Sequence, residues 1–195
     1  MCSHKLVLDS NNNYYGMSKI TEGLYLGSMS EASDAGWLKS NNISHIVNAT
    51  TELPNYYSGR YNYLKLGLED VPSQQLYSVL EPSYKFIRSA MRGGGTVLVH
   101  CAAGISRSSS IVAYFLLKNE TARAKATGGE IPTLGQIFEY LKRRRPVVNP
   151  NRGFVEQLRT VAGEKQYVPP QVVPKDYSTT FHPTTQKSRY AKALI

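Results

Sequence analysis

The chain has 195 residues, 41% hydrophobic and 19% charged, which suits about one domain whose core needs no covalent staple. Its two cysteines, Cys2 and Cys101, exclude a disulfide framework, and no Cys/His cluster has zinc-ligand spacing, so no metal or other cofactor is expected. The net charge of +9 attracts anions, whether phosphorylated proteins, nucleic acid or acidic lipid, without choosing among them.

The longest apolar run, residues 111–117, has seven residues, against the about 20 that a membrane helix needs. Leu6-Val7-Leu8 is too short for a signal-peptide core, and position 2 lacks the glycine of a myristoylation signal. A reducing compartment is therefore expected, cytoplasmic or nuclear. The glycosylation-type triplets at Asn42, Asn48 and Asn119 read as chance matches.

In chain order, residues 1–17 are polar and irregular, a flexible N-terminal segment. Leu24-Tyr25-Leu26 reads as a short strand between Gly23 and Gly27. Residues 31–39 have a helical pattern. Ile43, His45, Ile46 and Val47 read as a strand that stops at Asn48, and residues 61–66 as a second one. Residues 73–92 are helical, with Pro82 expected to kink or split the helix. After Gly93-Gly94-Gly95 the run Thr96-Val97-Leu98-Val99 reads as a buried strand, and residues 108–119 as a buried helix. Residues 122–129, basic and Gly-ended, read as a mobile loop or an extension of that helix. Thr133 and Gln136 form a capping box for a helix carrying Leu134, Ile137, Phe138 and Leu141. Phe154, Val155 and Leu158 mark a last helix. Residues 164–195 form a Pro/Thr-rich basic tail, partly disordered or loosely docked. Strands alternating with helices argue for an α/β fold with parallel strands.

The chemistry lies in Val99-His100-Cys101-Ala102-Ala103-Gly104-Ile105-Ser106-Arg107-Ser108. A strand delivers Cys101 to its C-terminal end, and a helix starts near Arg107. A tight loop at a helix N-terminus aims backbone N–H groups at one spot, a ready phosphate cradle. Gly104 permits the turn, and the planar fork of Arg107 can grip two phosphoryl oxygens. The same field favours the Cys101 thiolate, a nucleophile toward a phosphate ester. Ser108 is placed to hydrogen-bond that thiolate and ease its departure from a phosphocysteine. The leaving oxygen then needs a proton from a carboxylic acid on another loop.

His100-Cys101-x5-Arg107 is similar to the signature of the cysteine-dependent protein tyrosine phosphatases, and the string HCAAGISRSSS resembles their dual-specificity branch. Ile20 to Ser28, Ile46-Val47-Asn48-Ala49-Thr50 and Arg145-Pro146 with Pro150-Asn151-Arg152-Gly153-Phe154 resemble further segments of that family, over residues 18–163. With little chain ahead of them, the likeness is to the small atypical members that lack an N-terminal kinase-docking domain. It implies a central, mostly parallel mixed sheet flanked by helices. It also implies hydrolysis of phosphotyrosine and phosphoserine/threonine in phosphorylated protein substrates, with no nucleic acid partner. Cys101, Arg107, Asp70 and Ser108 would be catalytic, and Ala102, Ala103, Gly104, Ile105, Ser106 and Arg107 would bind phosphate. His100 and Asn48 would support them from behind.

In the family the acid sits some 30 residues before the cysteine, and Asp70, 31 residues before Cys101, holds that place, with Glu69 as its rival. Two readings compete with a protein substrate: a phosphoinositide, glycan or RNA 5′ end, or a catalytically weak phospho-residue binding module. Lipid-directed relatives carry lysines in the loop, whereas this loop has none. His45 reads as a strand residue, and Lys142-Arg143-Arg144-Arg145 as a solvated helix end with Arg145 structural.

Overall fold

The computed structural model describes residues 19–164 and, ahead of them, the backbone of one two-residue antiparallel ladder, β1 (Val7–Leu8) with β2 (Tyr14–Tyr15). That ladder falls within the segment read as irregular. The tail read over 164–195 lies, beyond Glu164, outside the described residues, as does Cys2.

Five strands form the main sheet: β3 (Lys19–Thr21), β4 (Leu24–Gly27), β5 (Ile43–Thr50), β6 (Asn62–Leu68) and β7 (Thr96–His100), in the order β3-β4-β7-β5-β6. Only the β3–β4 pair is antiparallel. The sheet is thus mixed and mostly parallel, as the likeness implied. Strand β7 lies at its centre and is buried on both faces, which is why its sequence reads as a continuous apolar run rather than an alternation. Val97 and Val99 face the larger core, with Ile111, Leu141, Phe154 and Leu158. Leu98 faces the other way, with Ile46, onto Ala32 and Leu38.

Six helices cover the two faces: α1 (Met29–Ser33) and α2 (Ala35–Ser40) on one side, and α3 (Tyr77–Arg92), α4 (Arg107–Thr127), α5 (Leu134–Arg144) and α6 (Arg152–Ala162) on the other. The single helix expected over 31–39 is two. Asp34 leaves the helical region at φ −95°, ψ 101° and its carboxylate caps the second helix at the Trp37 N–H. Strand β5 runs past Asn48 to Thr50, because Asn48 uses its side chain rather than its backbone for the turn beyond. Helix α3 begins at Tyr77, later than expected, and Pro82 leaves it whole. The carbonyl that this proline cannot bond belongs to Ser78, and both residues are exposed, so water can take the orphaned acceptor. Residues 122–127 extend α4, which ends at the left-handed Gly128. The Thr133–Gln136 capping box forms as read.

Strands β4, β5, β6 and β7 run the same way, so their C-terminal ends share one edge. The segments that leave that edge start at Ser28, Thr51, Glu69 and Cys101. In open α/β sheets this edge is where ligands bind.

Leu98 is fully buried under α1 and α2. Leu98→Ala is expected to cost about 2–5 kcal/mol in urea unfolding, and a loss well below that range would mean that the smaller core collapses to fill the gap.

Candidate active site

The loop between β7 and α4 folds around Cys101, which is buried and accepts hydrogen bonds at Sγ from Gly104 N–H (3.2 Å) and Ser108 Oγ (3.2 Å). Four of the loop's carbonyls are tied from outside it. Ala102 O accepts the Met29 N–H at 3.0 Å and Ile105 O the Asn149 N–H at 3.0 Å. Ala103 O and Gly104 O accept the Arg145 guanidinium at 3.2 and 3.0 Å. In a planar trans peptide the C=O and the next N–H point in opposite directions. Holding these four carbonyls outward therefore turns the N–H groups of Ala103, Gly104, Ile105 and Ser106 inward. The Gly104 N–H, on Sγ, follows that direction. Gly104 itself has φ +68°, and an added Cβ would collide with Arg145 and the Gly27 carbonyl, so only glycine fits.

Three serines in the first turn of α4 are buried, and each hydroxyl has a partner: Ser108 on Cys101, Ser109 on Ile105 O, and Ser110 on Ser106 O. Ser106 precedes the helix but does not cap it with its side chain. Its hydroxyl instead donates to Asp70 Oδ1 (2.7 Å) and accepts the Asn151 N–H (3.0 Å). Asp70 is thus brought to the loop, with Oδ2 3.8 Å from Arg107 Nε. Among the described residues no hydrogen bond or ion pair joins the Glu69 carboxylate to the loop.

Arg107 is 6% exposed. Its Nη1 is held by both Glu52 oxygens, at 2.7 and 2.8 Å, and by Leu68 O. Its Nε has no hydrogen-bond partner, a charged buried donor with capacity for an anion. Burial pushes the Glu52 carboxyl up, but its own backbone N–H and the Arg107 guanidinium outweigh that and hold it below its ordinary 4.5. Asn48 braces the segment carrying Glu52. Its Nδ2 reaches Leu53 O, Pro54 O and Asn55 Oδ1, while its Oδ1 accepts Thr50 N and Oγ1.

His100 is fully buried, and neither ring nitrogen has a hydrogen bond of good geometry. Burial pushes the imidazole down to about 4, against the opposing pull of the Cys101 backbone and Glu31, so the ring is neutral at neutral pH. His45 lies away from the site, on β5, beside Ser44, Asn62 and Phe86.

Sequence reasoning missed Glu52 as a partner of Arg107, whereas Arg145, read as structural, does hold the loop carbonyls. Arg145 also pairs with Glu31 (3.2 Å), both nearly fully buried. Burial works against the Glu31 carboxylate, but Arg145 and the Ser28 hydroxyl and N–H prevail and hold its pKa below 4.5. Among the described residues no cluster of three or more His, Cys, Asp or Glu could hold a metal, and no helix is long and apolar enough to cross a membrane.

The family model of the dual specificity phosphatase catalytic domain matches residues 24–163. Human dual specificity protein phosphatase 14 is 36% identical over 149 residues, 76% of this chain and 70% of that protein. A probable rhodanese domain-containing dual specificity protein phosphatase of Dictyostelium discoideum is 35% identical over 158 residues, 78% of this chain, which spans only 31% of that relative. Among solved structures, DUSP15 is 33% identical with a TM-score of 0.65, covering 75% of this chain and 87% of that one. The human tyrosine phosphatase-like serine/threonine/tyrosine-interacting protein is 30% identical with a TM-score of 0.65, covering 75% and 95%.

Arg145→Ala leaves Glu31 buried without its cation and is expected to cost about 3–5 kcal/mol, with part recovered in Arg145→Ala/Glu31→Gln, by urea unfolding. Full additivity of the two losses would show that the pair is not coupled. Acid acts on the same region. The neutral His100 contributes stability that is complete above pH 6.5 and lost as pH falls toward about 4. The Glu31 contribution is complete above 4.5 and lost as pH falls through its depressed value. Urea midpoints should therefore begin to fall below about pH 6.5 in the wild type, and Glu31→Gln should flatten only the lower part of that decline.

Proposed function

The chain belongs to the dual specificity phosphatase catalytic-domain family, and from that membership we propose that it hydrolyses phosphotyrosine and phosphoserine/threonine in proteins through a phosphocysteine on Cys101. The observation that supports this most is the ring of outward-tied carbonyls around the Cys101 sulfur. It leaves inward N–H dipoles and the Arg107 guanidinium to bind three phosphoryl oxygens and to stabilise charge that develops on them.

In the first step the Cys101 thiolate attacks phosphorus and an S–P bond forms. The P–O bond to the leaving group breaks, and Asp70, as the acid, delivers its proton to the departing oxygen. In the second step the Asp70 carboxylate takes a proton from water as the water oxygen attacks phosphorus. The S–P bond breaks, inorganic phosphate leaves and the thiolate is restored. Ser108, bonded to Sγ, supports that thiolate as it departs. Glu52 holds one end of Arg107 so that the rest of the fork faces the anion. Asn48 keeps Glu52 in reach, and His100, buried and neutral just before the cysteine, fills its place without adding charge. This chemistry draws on no metal, and it needs a reduced thiol, which fits a cytoplasmic or nuclear setting. A loop with Ala102, Ala103, Ile105 and Ser106 in place of lysines favours a phosphoprotein over a polyanionic lipid headgroup.

Release of an aryl alcohol from a small aryl phosphate in the presence of EDTA tests this reading. Reduced wild type should turn over and Cys101→Ser should fall to the uncatalysed background while keeping its fold. Turnover that survives Cys101→Ser would remove the thiolate mechanism. A folded, reduced wild type without turnover would leave a phospho-residue binding module.

A further inference from the structure

Asn151 is the residue before α6, and its side chain is shared between two tasks. Its Oδ1 caps the helix by accepting the Phe154 N–H at 3.0 Å, which fixes the orientation of the amide because a cap requires the oxygen. The Nδ2 must then face the other way, and it donates to Asp70 Oδ1 at 2.9 Å. The backbone N–H of the same residue donates to Ser106 Oγ, and that hydroxyl donates to the same Asp70 oxygen. Asp70 Oδ1 thus receives two donors, while Oδ2 lies toward Arg107, 3.8 Å from Nε.

Helix α6 grips the acid-bearing loop at two further points. Gly153 lies so close to the Pro72 carbonyl that an added Cβ would overlap it. Gln157 accepts the Leu76 N–H and donates to Gln74 O, both at 2.8 Å. The loop carrying Asp70 is therefore docked on a helix whose own start is set by Asn151.

We infer that Asn151 is the positioning residue for proton transfer. It saturates Asp70 Oδ1 and so assigns the transferable proton to Oδ2, the oxygen facing the phosphate-binding arginine. A carboxyl oxygen already accepting two hydrogen bonds is a poor place for a proton, and the other oxygen takes it. This inference rests on the reading of Asp70 as the acid.

The test uses a series of aryl phosphates whose leaving groups range from nitrophenol to phenol, read as kcat/KM, which reports formation of the phosphocysteine. Asn151→Ser keeps a capping oxygen and loses the donor, and Asn151→Asp keeps shape and cap but replaces the donor with an acceptor. Both should lose about 10-fold on phenyl phosphate, where the departing oxygen needs its proton most, and less than about 2-fold on nitrophenyl phosphate. The inhibition constant of inorganic phosphate should stay unchanged. In an Asp70→Asn background Asn151→Ser should add nothing further.

An equal loss across all leaving groups, or weakened phosphate inhibition, would make Asn151 merely structural and overturn the inference. If Asp70→Asn itself leaves the leaving-group dependence flat, the assignment of the acid fails. If Asp70→Asn steepens it and neither Asn151 variant does, only the role of Asn151 fails. Should Asn151→Ser not fold, Asn151→Asp alone decides between these outcomes.

Discussion

The guanidinium of Arg145, almost wholly buried, is the constraint on which the site depends. Two of its nitrogens take the carbonyls of Ala103 and Gly104, and a third meets Glu31. Those bonds hold the Ala103 and Gly104 carbonyls outward and so turn the N–H groups of Gly104 and Ile105 inward. The pair with Glu31 is not best understood as a source of net stability, because burying both charges costs about what their attraction returns. Its value is geometric. The capping box at Ser28 and Glu31 fixes the start of α1, so Arg145 is anchored to the same turn whose Met29 N–H holds the Ala102 carbonyl.

A second ion pair, Glu52 with Arg107, divides the work differently. Both Glu52 oxygens lie on Nη1, and the Nε stays without a hydrogen bond. One end of the guanidinium is fixed by protein and the other is left for an anion. A buried donor without a partner is costly, and a phosphoryl oxygen is the group that would remove that cost. Glu52 thereby orients the Arg107 guanidinium before any anion arrives, which is what the proposed phosphate-binding role requires.

Much of this was legible in the sequence where the signal is local. The run Thr96-Val97-Leu98-Val99 had to be an interior strand, and Thr133 with Gln136 had to start a helix. The spacing of Cys101, Gly104 and Arg107 marked the cradle because strand, turn and helix follow one another within a dozen residues. What escaped was tertiary. Glu52 stands 55 residues from Arg107 and Glu31 stands 114 from Arg145, and no periodicity connects such positions. The place of Glu52, an acid just beyond the end of a strand, was the only hint. The split at Asp34 was missed because a helical pattern of apolar residues does not reveal that one of its polar members caps a new helix. In sequence, a proline such as Pro82 argues for a break, yet exposure decides whether its missing N–H matters, and exposure is read from the fold.

Passage of phosphate through the sulfur of Cys101 is the central step of the mechanism we propose. The direct measurement is to mix radiolabelled phosphoprotein with the Ser108→Ala enzyme, which should release the thiolate slowly, quench within the first turnover and locate the label. A phosphocysteine mechanism predicts label on the peptide that contains Cys101, in an amount approaching one per enzyme, discharged as inorganic phosphate on further incubation. Label on a different residue, or phosphate release at the wild-type rate from an enzyme that never carries label, would contradict it.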